Sequence, residues 1–550
     1  MIQWRSEIRT ILFSAGKVID GTGSPPFNGH ILIEGDRIKA VLKEGEALPS
    51  ADTVVNASGY AVAPGFIDMH SHMDWSLPLD DHPELLKCLL EQGMTTLVAG
   101  NCGFSPAPVT TETLGLLERE FLLPIDKPLD YFWRSMGEFL ERAEKTKPIM
   151  NLAQLVGHGT VRIAVANTRR GAMKPDELKN CLDTVRRSLD EGACGLSFGL
   201  GYDPGMYSPK EEIEVFSAVA AKAKKPVTVH LKTYCRASAS YSLMYIKPHN
   251  LRALQEMIDI ARHTGISLQV SHLMLLFRKT WPLIDDCLRI IENARSEGID
   301  IMIDAIPYTD LNGSVATLFS PWFISKLPQG YKSWRARTRV RIENPIGYRR
   351  MGYSYKYIQV MDAAVEGWDD LSGLTNPEIA NKWKTSPTDV ILKLSEYSKG
   401  HAAILCRNVA GEPGNEKHLD AILCHNLCLF ETDTLIRSKG YPYPAAFGAF
   451  PKILGYYVRE RKLFSIENAV RRMTSASADR FGLKDRGRLE PGKAADIVIF
   501  DPRTISETPP LGGKPAGKPV GIHHVFLNGV HVVKDGTYVG GARAGRVFRT

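Results

Sequence analysis

From residue 95 to residue 305, apolar runs alternate with amphipathic stretches, and this alternation restricts the possible folds more than any other feature of the chain. Residues 95–99, 195–198, 227–230, 267–272 and 299–305 read as short strands. Residues 179–191, 215–223, 251–263 and 283–296, each just ahead of a strand, repeat apolar side chains at helical spacing. Strands joined by helices pair in parallel, so an α/β barrel or a doubly wound sheet is expected. Polar residues stand at the C-terminal ends of these strands, where barrel enzymes carry their chemistry. The segment of roughly 400 residues exceeds the roughly 250 of a minimal barrel, which places an insertion at about 320–385.

The two ends of the chain follow another pattern. Residues 8–64 hold short apolar runs parted by turn signals such as Asp20-Gly21-Thr22-Gly23 and Gly35-Asp36. Residues 492–501 read as a strand, and 525–533 as a hairpin about Asn528-Gly529. Two half-sheets at opposite ends suggest one small β-domain made of 1–64 and 481–550, flanking the alternating segment over 65–480.

Bulk properties exclude several classes. A net charge of +7 over 550 residues is mild. No arginine-rich tract with interleaved aromatics argues for nucleic acid. The densest basic stretch, 332–350, also holds Glu343 and Pro345 and reads as a solvated loop or lid. Nine cysteines without a framework point to a reducing compartment. The N-terminal apolar island Ile11-Leu12-Phe13 is too short for a leader, and no run of about 18 apolar residues suggests a membrane span. A cytoplasmic protein without membrane or nucleic-acid partners is expected; the oligomeric state stays open.

The strand ends share one grammar, a ligand-type residue closing an apolar run. They are His70 with His72, Cys102, His230, His272 and Asp433. In Gly65-Phe66-Ile67-Asp68-Met69-His70-Ser71-His72, read as a strand, Asp68, His70 and His72 point the same way. Two imidazoles two residues apart can share one divalent metal, and Asp68 is placed to hold a histidine N–H. Nitrogen, sulfur and oxygen donors together suit zinc. Each residue also has a plainer reading: Cys102 as a buried thiol, His230 and His272 as core histidines, Asp433 as a helix cap. His158 in Gly157-His158-Gly159-Thr160 either touches substrate or turns a loop. Cys424 and Cys428 have metal-like spacing but no second pair, and read as packing.

The motifs Ala63-Pro64-Gly65-Phe66-Ile67-Asp68-Met69-His70-Ser71-His72, Gly100-Asn101-Cys102-Gly103-Phe104-Ser105, Gly195-Leu196-Ser197-Phe198-Gly199-Leu200, Gly448-Ala449-Phe450-Pro451 and Gly487-Arg488-Leu489-Glu490-Pro491-Gly492-Lys493-Ala494-Ala495-Asp496 resemble the amidohydrolase superfamily. Within it the chain resembles the N-acyl-D-amino-acid deacylase (D-aminoacylase) family, and Asn-Cys-Gly-Phe-Ser is the specific signal. The resemblance spans about residues 10–535. It implies a (β/α)8 TIM-like barrel with a small β-sandwich from both termini. It implies one tight zinc on Cys102, His230 and His272, and a second, weaker one on His70 and His72 sharing Cys102. Residues 195–201 hold no lysine to bridge two metals, which fits a cysteine bridge. The implied reaction is zinc-dependent hydrolysis of a linear amide in a small-molecule substrate, with Asp433 as general base and then acid.

The chain departs from the family where a substrate carboxylate would be gripped. Met274 stands in place of a basic residue, Tyr443-Pro444-Ala445 in place of His-Pro-Arg, and Ile306-Pro307-Tyr308 in place of Tyr-Pro-Tyr. Lys232 and Tyr234 replace an arginine and an acid. The substrate is therefore an amide that need not be an acyl-D-amino acid, or else Lys232, Arg236, Arg278 or Lys279 holds the carboxylate. Lys232, Tyr308 and His158 are the expected substrate contacts. Two other readings remain: a cyclic-amide hydrolase of the hydantoin or dihydropyrimidine kind, and a non-catalytic scaffold. All six ligand-type positions are present, which weighs against the scaffold.

Overall fold

A computed structural model describes residues 9–121, 133–167, 169–241, 247–509 and 516–550. Residues 1–8, part of the stretch read for a leader, lie outside the described residues. Eight parallel strands form the centre: β1 Phe66–Asp68, β2 Met94–Ala99, β3 Asn151–Gly157, β4 Gly195–Gly199, β5 Val227–His230, β6 Leu268–Val270, β7 Ile301–Ala305 and β8 Cys428–Phe430. Each pairs with the next in order, from β1 through to β8. Just beyond the strands, β8 meets β1. Thr432 N–H donates to Asp68 Oδ1 at 3.1 Å, and Asp433 N–H donates to the His70 carbonyl at 3.0 Å. His72 N–H donates to the Thr434 carbonyl at 3.1 Å. The expected α/β barrel is thus a nearly closed ring, sealed by residues of the candidate site.

Every residue of β2, β3 and β4 is buried, the pattern of parallel strands covered on both faces. Helices cover the outside, among them Pro175–Asp190, with proline at its first turn, and His249–Thr264. The latter ends on Gly265 at φ 72°, a left-handed cap that glycine adopts without strain. Strand β3 had no reading in the sequence because Asn151 and Gln154 interrupt its apolar run. Both amides find acids: Asn151 Nδ2 donates to Asp496 Oδ2 at 3.0 Å, and Gln154 Nε2 to Asp74 Oδ2 at 2.9 Å. Such partners lie far away along the chain and leave no local signal.

A nine-stranded sheet draws strands from both ends of the chain and is joined where Ile497–Phe500 runs antiparallel to Ala61–Pro64. Phe13 and Phe526 meet edge to face within its core, ring centroids 4.8 Å apart. Between Ile522–Leu527 and Val530–Lys534 the chain turns through Asn528 and Gly529, both at positive φ, as a two-residue hairpin requires.

The insertion between β7 and β8 is larger than expected. Leu311–Ser314, Ile358–Asp362 and Ala403–Cys406 form its own three-stranded sheet, so the unit needs chain outside 320–385 to pair. Val340, Val360, Ile379, Ile391 and Ile404 belong to a separate core beneath it. The basic stretch expected as a loop is the helix Trp334–Met351. Ala336, Val340, Asn344 and Tyr348 form its buried face, and Arg337 and Arg341 pair with Glu396 at 3.0 Å and Asp389 at 2.7 Å. Among the described residues no helix is long and apolar enough to cross a membrane.

Candidate metal centre

At the C-terminal mouth of the barrel six side chains from five strand ends converge. His70 and His72 follow β1, Cys102 follows β2, His230 ends β5, His272 follows β6 and Asp433 follows β8. The Cys102 sulfur lies 3.4 Å from His70 Nε2, 3.3 Å from His272 Nε2 and 3.8 Å from His230 Nδ1. His230 Nδ1 and His272 Nε2 are 3.0 Å apart. Asp433 Oδ1 lies 3.2 Å from His72 Nε2 and 3.5 Å from His70 Nε2. Two sets, His70–His72–Cys102 and Cys102–His230–His272, each bring three donor atoms within 4.8 Å of one another.

Three of the six bend the backbone into the left-handed region: Cys102 at φ 52°, His272 at 32° and Asp433 at 48°. Such a conformation costs a non-glycine residue of order 1–3 kcal/mol and persists where surroundings enforce it. At Cys102 the enforcement is visible. A Cβ on Gly199 would lie 1.9 Å from the Cys102 carbonyl oxygen, and Gly103 N–H donates to Ser197 Oγ at 3.1 Å. The glycines of Gly-Asn-Cys-Gly and of β4 let two backbones touch and aim the thiol inward.

The electrostatics suit a cation. Burial holds His230 well below the ordinary imidazole range and His272 down at about 4, leaving both neutral with a free lone pair. Burial, then Asp433, Glu431 and Asp304, push the Cys102 thiol far up, so thiolate forms here only with a positive charge beside it. Burial alone would raise Asp433, but the hydrogen bond from His72 and then the His70 ring outweigh it and hold its pKa below the ordinary carboxylate range. Buried, convergent nitrogen and oxygen donors, beside a thiol that ionises only next to a cation, fit zinc.

Other expected residues lie elsewhere. Asp68 does not hold an imidazole: its Oδ1 accepts the backbone N–H of His70 at 3.3 Å and its Oδ2 the Thr432 hydroxyl at 2.5 Å, so it ties β1 to β8. His158 does not reach the mouth. It is fully buried, with Nε2 3.0 Å from Glu212 Oε1 and its ring against Phe198 and Phe216. Lys232 lines a small gap in the helical layer with Lys210 and Glu256. Tyr308 donates its hydroxyl to Glu507, under Lys452, whose Nζ stands 3.9 Å from the ring centroid. Arg236 and Lys279 are exposed, and Arg278 pairs with Glu412 at 2.6 Å. Two residues had no expectation in the sequence. Asp304 and Glu431 stand fully buried behind His70. Both obey the same grammar, an acid near the end of an apolar strand.

Just past Asp433 a cavity of about 360 Å³ opens under the inserted unit, lined by Met361, Ile436, Tyr441, Tyr443 and Phe447 among others. Its Arg437 is already engaged, to Asp362 at 2.9 Å and to the His401 carbonyl at 2.8 Å. A larger cavity of about 740 Å³ lies by Pro226, Ser267 and Asp300, at the strands' N-terminal ends. Barrel chemistry belongs to the opposite end, where the six donors are.

Comparison with known proteins agrees with this geometry. A D-aminoacylase of Alcaligenes xylosoxydans xylosoxydans is 29% identical over 554 residues, covering 100% of this chain and 99% of its own. The N-acyl-D-glutamate deacylase of Bordetella bronchiseptica, solved with zinc and a phosphonate inhibitor that mimics the tetrahedral intermediate, superimposes with a TM-score of 0.80. It is 28% identical and covers 99% of this chain and 100% of its own. A dihydropyrimidinase of Brevibacillus agri, 16% identical with a TM-score of 0.55 over 98% of each chain, shares the fold alone. The family model described as the amidohydrolase family matches residues 53–320 and 430–539, leaving out most of the inserted unit. This chain belongs to the amidohydrolase family.

Proposed function

We propose that the protein is a zinc-dependent hydrolase of linear amides, releasing an amine and a carboxylic acid from a small N-acylated substrate. The observation that carries this reading is the Cys102 sulfur within 3.8 Å of three histidine nitrogens, with Asp433 alongside. Cys102, His230 and His272 would hold the tighter zinc; His70 and His72, sharing Cys102, a weaker second. Bound zinc would lower the pKa of a water toward about 7 and polarise the scissile carbonyl. Asp433, ionised and on the His70–His72 side, would take the proton of the attacking water. It would then return that proton to the leaving nitrogen, which departs only once protonated.

The reading of the substrate rests on what surrounds the mouth. Met274 is half-buried, Ala445 is fully buried, and Arg437 is engaged by Asp362. Lys439, the other cation lining the cavity past Asp433, stands 3.5 Å from Asp369; with both cations facing acids of the protein, the substrate is read as a neutral acylated amine. Tyr308 and His158 lose their substrate role in this reading because each is bonded elsewhere, and Lys232 because it lines the gap in the helical layer. Residues 65–480 are read as the catalytic unit, and 1–64 with 481–550 as the accessory β-sandwich, supported by the sheet that joins both ends. Nine free thiols support a cytoplasmic setting.

The test is metal content by mass spectrometry, paired with a deacylation screen. N-acyl-D-amino acids are compared with carboxyl-free N-acyl amines, for the wild type and Asp433→Ala. Zinc in both proteins, with turnover of carboxyl-free amides by the wild type alone, is the expected result. Turnover confined to acyl-D-amino acids would reject the substrate reading. A wild type without metal would reject the whole assignment.

A further inference from the structure

His70 has two ring nitrogens facing opposite chemistries. Nε2 faces the Cys102 sulfur, while Nδ1 lies 3.2 Å from Glu431 Oε2 and 3.7 Å from Asp304 Oδ1. A histidine can present one chosen nitrogen to a metal only if something fixes the other. Asp304 also reaches a second ligand. Its Oδ1 accepts the backbone N–H of His272 at 2.5 Å, and its main-chain carbonyl accepts the next N–H, that of Leu273, at 2.7 Å. These two bonds clasp His272 at its left-handed φ of 32°. Asp304 is itself held, since its Oδ2 accepts Gln269 Nε2 at 2.6 Å, and Gln269 Oε1 in turn accepts Arg480 Nε at 3.1 Å.

We infer that Asp304, backed by Glu431, is a positioning residue that couples the two ligand sets. It clasps the strained His272 backbone for the Cys102–His230–His272 set and, with Glu431, turns the His70 ring for the other. No other carboxylate described at the site contacts a ligand of each set from behind. Of the ligands Asp68 touches His70 alone, at its backbone, and Asp433 lies on the metal-facing side. The inference rests on the ligand assignment proposed above.

The experiment measures zinc affinity by chelator competition and the absorption spectrum of the cobalt-substituted protein. The proteins are wild type, Asp304→Ala, Asp304→Asn and Glu431→Leu, each checked for folding by circular dichroism. Asp304→Ala is expected to weaken zinc at both sets by about 10–100-fold and to shift the cobalt bands. Asp304→Asn keeps an oxygen for the His272 N–H and should recover the His272 set alone. Glu431→Leu should weaken only the His70 set. A folded Asp304→Ala with wild-type zinc affinity and an unchanged cobalt spectrum overturns the inference. If that variant does not fold, unchanged affinity at the His70 set in both Asp304→Asn and Glu431→Leu overturns it instead. Zinc-free wild type rejects the ligand assignment itself, an outcome distinct from either.

Discussion

Two buried clusters, one of four histidines and one around His158 alone, sit on the strand ends of this barrel, and they are built on opposite plans. At the mouth His70, His72, His230 and His272 crowd one thiol and one carboxylate, with donor atoms 3.0–3.8 Å apart. Behind β3 and β4, His158 shares Glu212 with Arg162, and Ser208 Oγ donates to the same carboxylate at 2.8 Å. Phe198 and Phe216 close over that ring. In the second group the acid already has its cation, Arg162. In the first, lone pairs converge on one another and three backbones are bent to make them do so. A histidine at a strand end is therefore weak evidence of chemistry. Convergence without a counter-charge, together with left-handed backbone, separates a metal centre from a structural ion network.

The contrast can be broken most directly at Cys102, the atom common to both ligand sets. Cys102→Ala is expected to lose zinc from both and all amide turnover, while a melting curve shows the barrel still folded. Retained zinc in that variant would dismantle the first half of the comparison. Asp433→Asn should lower kcat by about 10²–10⁴-fold with zinc content near that of the wild type, read by steady-state kinetics beside metal analysis. Turnover close to wild type would remove Asp433 from the proton path.

The second group should answer in stability instead. Glu212→Ala strands a buried arginine and is expected to cost about 3–5 kcal/mol in denaturant unfolding. Zinc per folded chain should not change. The same residue has a pH signature. Burial would raise the Glu212 pKa, but His158 and Arg162 outweigh it and hold it at about 2, below its ordinary 4.5. A carboxylate with a depressed folded pKa stabilises the fold above its unfolded value and loses that contribution as pH falls. Wild-type stability should therefore drop between about pH 4.5 and 2 more steeply than that of Glu212→Gln. Equal slopes would mean that the network is not charged as drawn. The smallest effect belongs to Lys232→Ala. Facing the helical layer, it should alter kcat/KM by no more than about twofold, an effect within about 0.5 kcal/mol. A tenfold rise in KM would return Lys232 to the substrate site.

Much of this was legible in order along the chain. The strand–helix alternation, the hairpin at Asn528-Gly529 and the six ligand-type residues follow from local periodicity and from what closes each apolar run, and these are properties of neighbouring residues. Strand β3 was not legible, because Asn151 and Gln154 break its pattern and their partners, Asp496 and Asp74, lie 345 and 80 residues away. Nor was the extent of the inserted unit, whose three strands come from segments separated by whole helices.

The sequence by itself determined the strand–helix alternation, barrel or doubly wound sheet, and the positions of the six ligand-type residues, since both are read from neighbouring residues. Only the tertiary structure decided which buried histidine meets a thiol and which meets a glutamate. It alone put Asp304 and Glu431 behind His70, His158 on Glu212, Tyr308 on Glu507 and Lys232 in the gap of the helical layer. The physical reason is that a side chain's role follows from its partner, and here partners such as Asp68 and Thr432 are 364 residues apart.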